Sequence, residues 1–223
     1  IAHELDDVWL HHKSGTTPYS GQNASLFPWT LAKAFLSSPA ALRDTVKERR
    51  RRLKDTPGPA ETREDEALAR LLALAEAAVD QPSAKYLRLV EHLREIGVGP
   101  NSDARAVVFA ERVATLHWLH QHLPGDLGLT ADGVEVMHGG LPDDEQQRIV
   151  EAFKQAHSPV RVLVTGDVAS EGVNLHAQCH ELVHFDIPWS LIRIEQRNGR
   201  IDRYGQKHPP RITTLLLDPT SEG

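Results

Sequence analysis

The chain has 223 residues, 40% hydrophobic and 25% charged, and its 31 acidic against 25 basic side chains leave a net charge of -6. That length supports one large domain or two small ones around a buried core. The apolar runs are too short for a membrane span, and no charged-then-apolar leader precedes a small-residue cleavage site. The single Cys179 rules out an internal disulfide and fits a reducing cytoplasm. The acidic balance excludes a generally basic nucleic-acid binder, so any grip on phosphate is local.

In chain order, residues 1–25 read as irregular and polar, and the start at Ile1 rather than Met reads as a piece cut from a longer protein. Arginine outnumbers lysine 18 to 7, a bias of GC-rich bacterial genomes. Two helices are expected over 27–35 and 40–54, split at Ser37-Ser38-Pro39, and Pro57-Gly58-Pro59 is a firm break. Leu68, Leu71, Leu72, Ala75 and Val79 recur at helical spacing, as do Leu87, Val90, Leu93 and Ile96. The basic run Arg49 to Arg52 suits either a phosphate backbone or a solvated helix face.

The character changes near Asn101. The wholly apolar run 106–110 reads as a parallel strand buried on both faces, and 133–137, 161–165, 181–185 and 212–217 read as further strands, the last a fifth or sixth. Helices between them are expected after Ala110, with Val113, Leu116, Leu119 and Leu123 inward, and over 143–156, with Ile149 and Phe153 inward. Alternation at this pace implies right-handed βαβ units, with chemistry beyond the strand ends after Ala110, Met137, Thr165 and Phe185. The expected organisation is a helical segment, 1–100, followed by an α/β domain, 101–223.

Chemistry concentrates in QRNGRIDRYGQ, residues 196–206. A helix would stack Gln196, Arg200 and Arg203 on one face, where two guanidiniums beside an amide suit a polyphosphate. Arg197, about 100° round such a helix from Gln196, is expected to find an internal partner. On spacing alone a solvated basic face fits equally well. His117, His120 and His122 on one helix, with Cys179, His180 and His184, lack finger-like spacing, so no metal site is expected. The four tryptophans read as core or interface anchors.

The segment QRNGRIDRYGQ resembles motif VI of superfamily 2 helicases, in the version ending Arg-x-Gly-Gln found in Swi/Snf-type translocases. FDIPW around Asp186 is similar to the Asp-x-Pro element before it, VTGDVASEGVNL (164–175) resembles motif V, and AVVFAERVATLHWLHQHL resembles motif IV. MHGGLPDDEQQRIVEAF resembles the segment between motifs IV and V, and the whole is most like the bacterial RapA-type branch. The resemblance implies a RecA-like, P-loop-NTPase-type α/β lobe with three layers and a mostly parallel sheet. It also implies the second motor lobe of an ATP-dependent double-stranded DNA translocase. Arg200 and Arg203 would be arginine fingers, Gln196 would touch the γ-phosphate or attacking water, and Glu171 and Gly172 would lie near the nucleotide. Thr165, Gly166, Arg112, His138, Gly139 and Gly140 would contact the nucleic-acid backbone. The family's motif V hydroxyl aligns with Gly166, so Thr165 or the Gly166 N–H would have to serve.

No glycine is followed by lysine, so no phosphate loop is encoded here, and Ile187 stands where a catalytic Glu would follow Asp186. The resemblance therefore assigns ATP's main cradle and the Mg²⁺ ligands to an N-terminal RecA-like lobe of the same protein. It also suggests RNA polymerase or a defence or restriction complex as partner. Two other readings stay open: a lobe of a strand-separating DNA or RNA helicase, and a non-catalytic docking module.

Overall fold

The computed structural model describes residues 1–11, 18–19, 24–54, 58–167 and 173–216. Contacts divide the chain into two compact units, Ile1–Pro82 and Ser83–Gly223.

The first unit is helical from its start. A turn of helix, α1 (Ala2–Glu4), runs into a π-helical turn, Leu5–Leu10, that buries Leu5 and Trp9, so the irregular start expected over 1–25 is corrected for residues 2–10. Two apolar side chains one turn apart were enough to dock it, with the Trp9 ring edge-on to Phe27. Next come α2 (Phe27–Ser37) and α3 (Pro39–Leu53). They part where the sequence requires: Pro39 at the first turn cannot donate, and the Ser38 hydroxyl caps α3 by accepting from the Ala41 N–H at 3.0 Å. α4 (Pro59–Ala78) repeats the device with Pro59 in its first turn and packs along α3.

That packing settles the basic run. Arg49 forks onto Glu64 at 2.6 and 3.0 Å, and Arg50 onto Asp65 at 2.7 and 3.0 Å. Arg51 and Arg52 both turn back to Glu48. Glu64 is fully buried, and Arg50 holds the Asp65 carboxyl below its ordinary range. These four arginines are matched by carboxylates within their own unit.

The second unit begins with α5 (Ala84–Glu95), capped by the Ser83 hydroxyl, which accepts from the Tyr86 N–H at 3.2 Å. Its buried side chains are Tyr86, Leu89, Val90 and Leu93, while Leu87 is exposed, so the expected stripe is rotated. The sheet follows: β1 (Ala106–Phe109), α6 (Val113–Leu127), β2 (Val134–Met137), α7 (Asp143–Lys154), β3 (Val162–Thr165), β4 (Glu181–His184), α8 (Leu191–Asn198) and β5 (Arg211–Thr214). All five strands are parallel, in the order β2-β3-β1-β4-β5. β1 to β4 are buried along almost their whole length, which is why β1 reads as an unbroken apolar run, whereas β5 is largely exposed.

The crossover through α6 runs one way along the sheet and that through α7 runs back, so right-handedness puts them on opposite faces. Ile149 and Phe153 of α7 share a core with Val107, Phe109, Leu163 and Leu182. On α6, Leu116, Leu119 and Leu123 are buried as expected, but Val113, at the helix start, is exposed. This is a RecA-like architecture, a parallel sheet with helices flanking it.

Candidate ATP-facing and nucleic-acid-facing edge

Register aligns the last residues of the strands in one row: Met137, Thr165, Phe109, His184 and Thr214. Beyond it, the Ala110 N–H bonds the Thr165 carbonyl at 3.1 Å and the Gly166 N–H bonds the Met137 carbonyl at 3.2 Å. The chain leaving β1 travels toward β2, and that leaving β4 toward β5. The crevice of a doubly wound sheet therefore falls at the ends of β1 and β4.

The expected backbone-contact groups follow the ends of β1, β2 and β3. At β2 the chain turns tightly: the Leu141 N–H bonds the His138 carbonyl at 3.1 Å and the Gly140 N–H bonds His138 Nδ1 at 3.1 Å. Gly139 and Gly140 are exposed, and a Cβ on Gly140 would stand 3.1 Å from the His138 ring, so a larger residue there requires that ring to shift slightly. His117 meets His138 edge to face at 5.2 Å, and burial pushes it below its ordinary range, helped by its histidine neighbours. Arg112 is half-buried at the N-terminal boundary of α6. Thr165 is fully buried, and its hydroxyl donates to the Gly166 carbonyl at 3.2 Å. Both groups considered for the β3 contact, the Thr165 hydroxyl and the Gly166 N–H, thus have internal acceptors. Glu171 and Gly172 lie outside the described residues.

On the other side, α8 stops at Asn198, and Gly199 and the residues after it form turns. The expected single helical face through Gln196, Arg200 and Arg203 is therefore corrected: only Gln196 is helical. The Asn-Gly pair explains it, since neither residue favours helix continuation. The turn is nonetheless held firmly. The Arg200 N–H bonds the Arg197 carbonyl at 3.0 Å, and the Arg200 carbonyl accepts from the Leu175 N–H at 3.0 Å. Ile201 is fully buried, and Gly205 takes φ 92°, a left-handed conformation that other residues resist. The Gln206 amide closes the turn onto the carbonyls of Cys179 at 3.0 Å and Ile201 at 2.9 Å. Gln196 and Arg203 are exposed, and Arg200 is half-buried.

Arg197 faces inward, as the helical geometry implied. It is 1% exposed, donates from Nε to Asp167 at 2.5 Å and from Nη1 to the Asp186 carbonyl at 2.7 Å, and lies over the Phe109 ring. His184 bridges Arg197 and Asn198, with Nε2 2.9 Å from the Asn198 amide oxygen, and burial holds it below its ordinary range. Asp186 takes Lys85 at 2.7 Å and the Glu111 N–H at 3.0 Å. A carboxylate so engaged does not fit a Mg²⁺ ligand. Lys85 and Asp167 carry no signal in isolation; only a partner far along the chain reveals them. Elsewhere, Cys179 is buried and its thiol is pushed up to about 12. Among the described residues no three His, Cys, Asp or Glu side chains converge as a metal site, and no helix is long and apolar enough to cross a membrane. Trp9 and Trp118 are core residues, whereas Trp29 and Trp189 are exposed.

A parallel sheet whose crevice and turns gather these groups defines a RecA-like lobe. Residues 85–205, more than half of the chain, match the family described as helicase conserved C-terminal domain, and the chain belongs to that family. It is 33% identical over 122 residues to the RNA polymerase-associated protein RapA of Erwinia tasmaniensis, covering 55% of this chain and 12% of that protein. It is 28% identical over 140 residues to the uncharacterized ATP-dependent helicase YqhH of Bacillus subtilis, covering 63% and 23%. The C-terminal part of the Fun30 ATPase domain superposes with a TM-score of 0.60 at 18% identity, covering 96% of this chain and 78% of that one. The chain thus spans less than a quarter of the length of these two curated relatives.

Proposed function

We propose that this chain is the second motor lobe of an ATP-dependent double-stranded DNA translocase, with Arg200 and Arg203 as arginine fingers. The observation that carries the reading is the sorting of the arginines: Arg197 is locked inside, while the next turn is clamped by Leu175 and Gln206 so that Arg203 stands exposed. A forked, permanently charged donor fits the oxygens of a transferring phosphoryl, and a finger of this kind contributes about 10³–10⁵ in rate. Gln196 orients the γ-phosphate or the attacking water, with Glu171 and Gly172 beside the nucleotide.

ATP and its Mg²⁺ are held chiefly by an N-terminal RecA-like lobe of the same protein, since this chain encodes no phosphate loop. Arg112 and the His138-Gly139-Gly140 turn grip the DNA backbone. At Thr165-Gly166 the grip requires the loop to re-form, because both polar groups now face inward. Backbone contacts carry no base information, so binding is indifferent to sequence and falls steeply with salt. RapA-like relatives make RNA polymerase the first partner to test.

The full-length protein decides the matter in two assays. Displacement of a triplex-forming strand without unwinding of a forked duplex is the expected result. Efficient unwinding stimulated by single strands or RNA would make the chain a lobe of a strand-separating helicase. Failure of nucleic acid to stimulate ATP hydrolysis at all would leave a docking module.

A further inference from the structure

The outward face of α6 differs from those of α5 and α7. In a chain of net charge -6, residues 113–123 include no Asp, Glu, Lys or Arg, and the exposed side chains there are Val113, His117, His120 and Gln121. By contrast α7 opens with Asp143, Asp144 and Glu145, and α5 exposes Glu91 and Glu95. A polyanion therefore meets the least like-charge repulsion along α6.

That face leads to the turn after β2. The His117 and His138 rings meet at 5.2 Å, their planes 79° apart, and His120 stands one helical turn further on. His138 is held in one tautomer: its Nδ1 accepts from the Gly140 N–H at 3.1 Å, so the neutral ring carries its hydrogen on Nε2. A proton on Nδ1 would break that bond, which leaves His117 as the ring of the pair that takes one.

Among the described residues no carboxylate offsets a charge on His117. β3 carries no ionisable group, and Glu135 of β2 reaches Arg148 of α7, on the opposite face, at 3.4 Å. From α5, Tyr86 reaches Asp126 near the far end of α6, Arg88 takes Glu91 and Glu95, and Glu111 bears on Lys85. Burial holds His117 below the ordinary histidine range, and the charges that add to this are those of His138 and His120.

On the translocase reading above, we propose that His117 is a further phosphate-contacting residue, forming with His138 a proton-dependent grip on the nucleic-acid backbone. A phosphate beside the pair supplies the negative charge that the fold withholds. His117 then takes a proton from solvent and donates to a phosphate oxygen, while the neutral His138 donates from Nε2. Phosphate favours the charged ring, so the pKa of His117 rises on binding. The added affinity is full below the free-state pKa and is lost as pH rises through the bound one.

The test is duplex DNA binding by the full-length protein, read by fluorescence anisotropy over a range of salt, with EDTA present. The parent should bind about tenfold tighter at about pH 6 than at about pH 8, and the slope of log affinity against log salt should steepen by about 0.9, the effect of one phosphate neutralised. His117 is exposed, so both of the following variants keep the core intact. His117→Gln should bind at either pH about as weakly as the parent does at about pH 8. His117→Lys, charged throughout, should bind at either pH about as tightly as the parent does at about pH 6. Parental pH dependence in both variants overturns the assignment. So does weak binding by both at about pH 6, since the shape of the ring rather than its charge would then matter. An effect seen only when EDTA is left out would give the pair to a metal ion and overturn it equally. Salt-sensitive duplex binding without the pH dependence sinks this assignment alone, whereas no duplex binding by the parent at either pH sinks the translocase reading itself.

Discussion

The chain holds two arginine clusters, one in each unit, and they have opposite fates. In the helical unit the run Arg49 to Arg52 is the denser concentration of charge, yet α4 and Glu48 match each guanidinium. In the sheet unit Arg197, Arg200 and Arg203 are spread along a turn. Only Arg197 is driven fully inward, to Asp167 and Asp186, while Arg203 remains exposed. Density of positive charge in a sequence is thus a poor guide to a phosphate site. What decides is whether the facing element brings carboxylates, and α4 does.

That contrast breaks most visibly in catalysis. Replacing Arg200 or Arg203 by Ala in the full-length protein should lower ATP turnover about 10³-fold or more, because a finger acts on charge that develops only in the transition state. Duplex binding, measured by fluorescence anisotropy, should stay close to parental. Both variants hydrolysing at the parental rate would show that this turn does not face the nucleotide.

The helical unit is sharpened by its own pair of variants, read by denaturant unfolding. Arg49→Ala removes the forked partner of the fully buried Glu64 carboxylate and should destabilise the unit by about 3 kcal/mol. Arg51→Ala frees an exposed neighbour of Glu48 and should leave the midpoint where it was. A large effect from Arg51, or none from Arg49, would undo the claim that this run is spent on its own unit.

Most of the fold was legible because its signals are local. The buried strand β1 writes itself as an apolar run, and the Ser38-Pro39 and Gly58-Pro59 breaks fall where a proline opens the next helix. The division between compact units, at Pro82 and Ser83, is not local: α5 belongs with the sheet unit, although the composition changes only near Asn101. The buried Trp9 turn and the exposed Leu87 depend on which neighbour arrives, which periodicity cannot state. At the candidate edge the motif segments and the inward Arg197 were readable. Helix geometry was over-extended through Asn198-Gly199, and the pairs Lys85–Asp186 and Arg197–Asp167 join residues 101 and 30 positions apart.

The central claim is that these arginines complete an ATP site whose phosphate cradle lies outside this chain. Its most direct test is steady-state ATP hydrolysis by the purified 223-residue chain with Mg²⁺ and duplex DNA. The account predicts no sustained turnover. Mg²⁺-dependent turnover by the chain alone, abolished by Arg203→Ala, would contradict it.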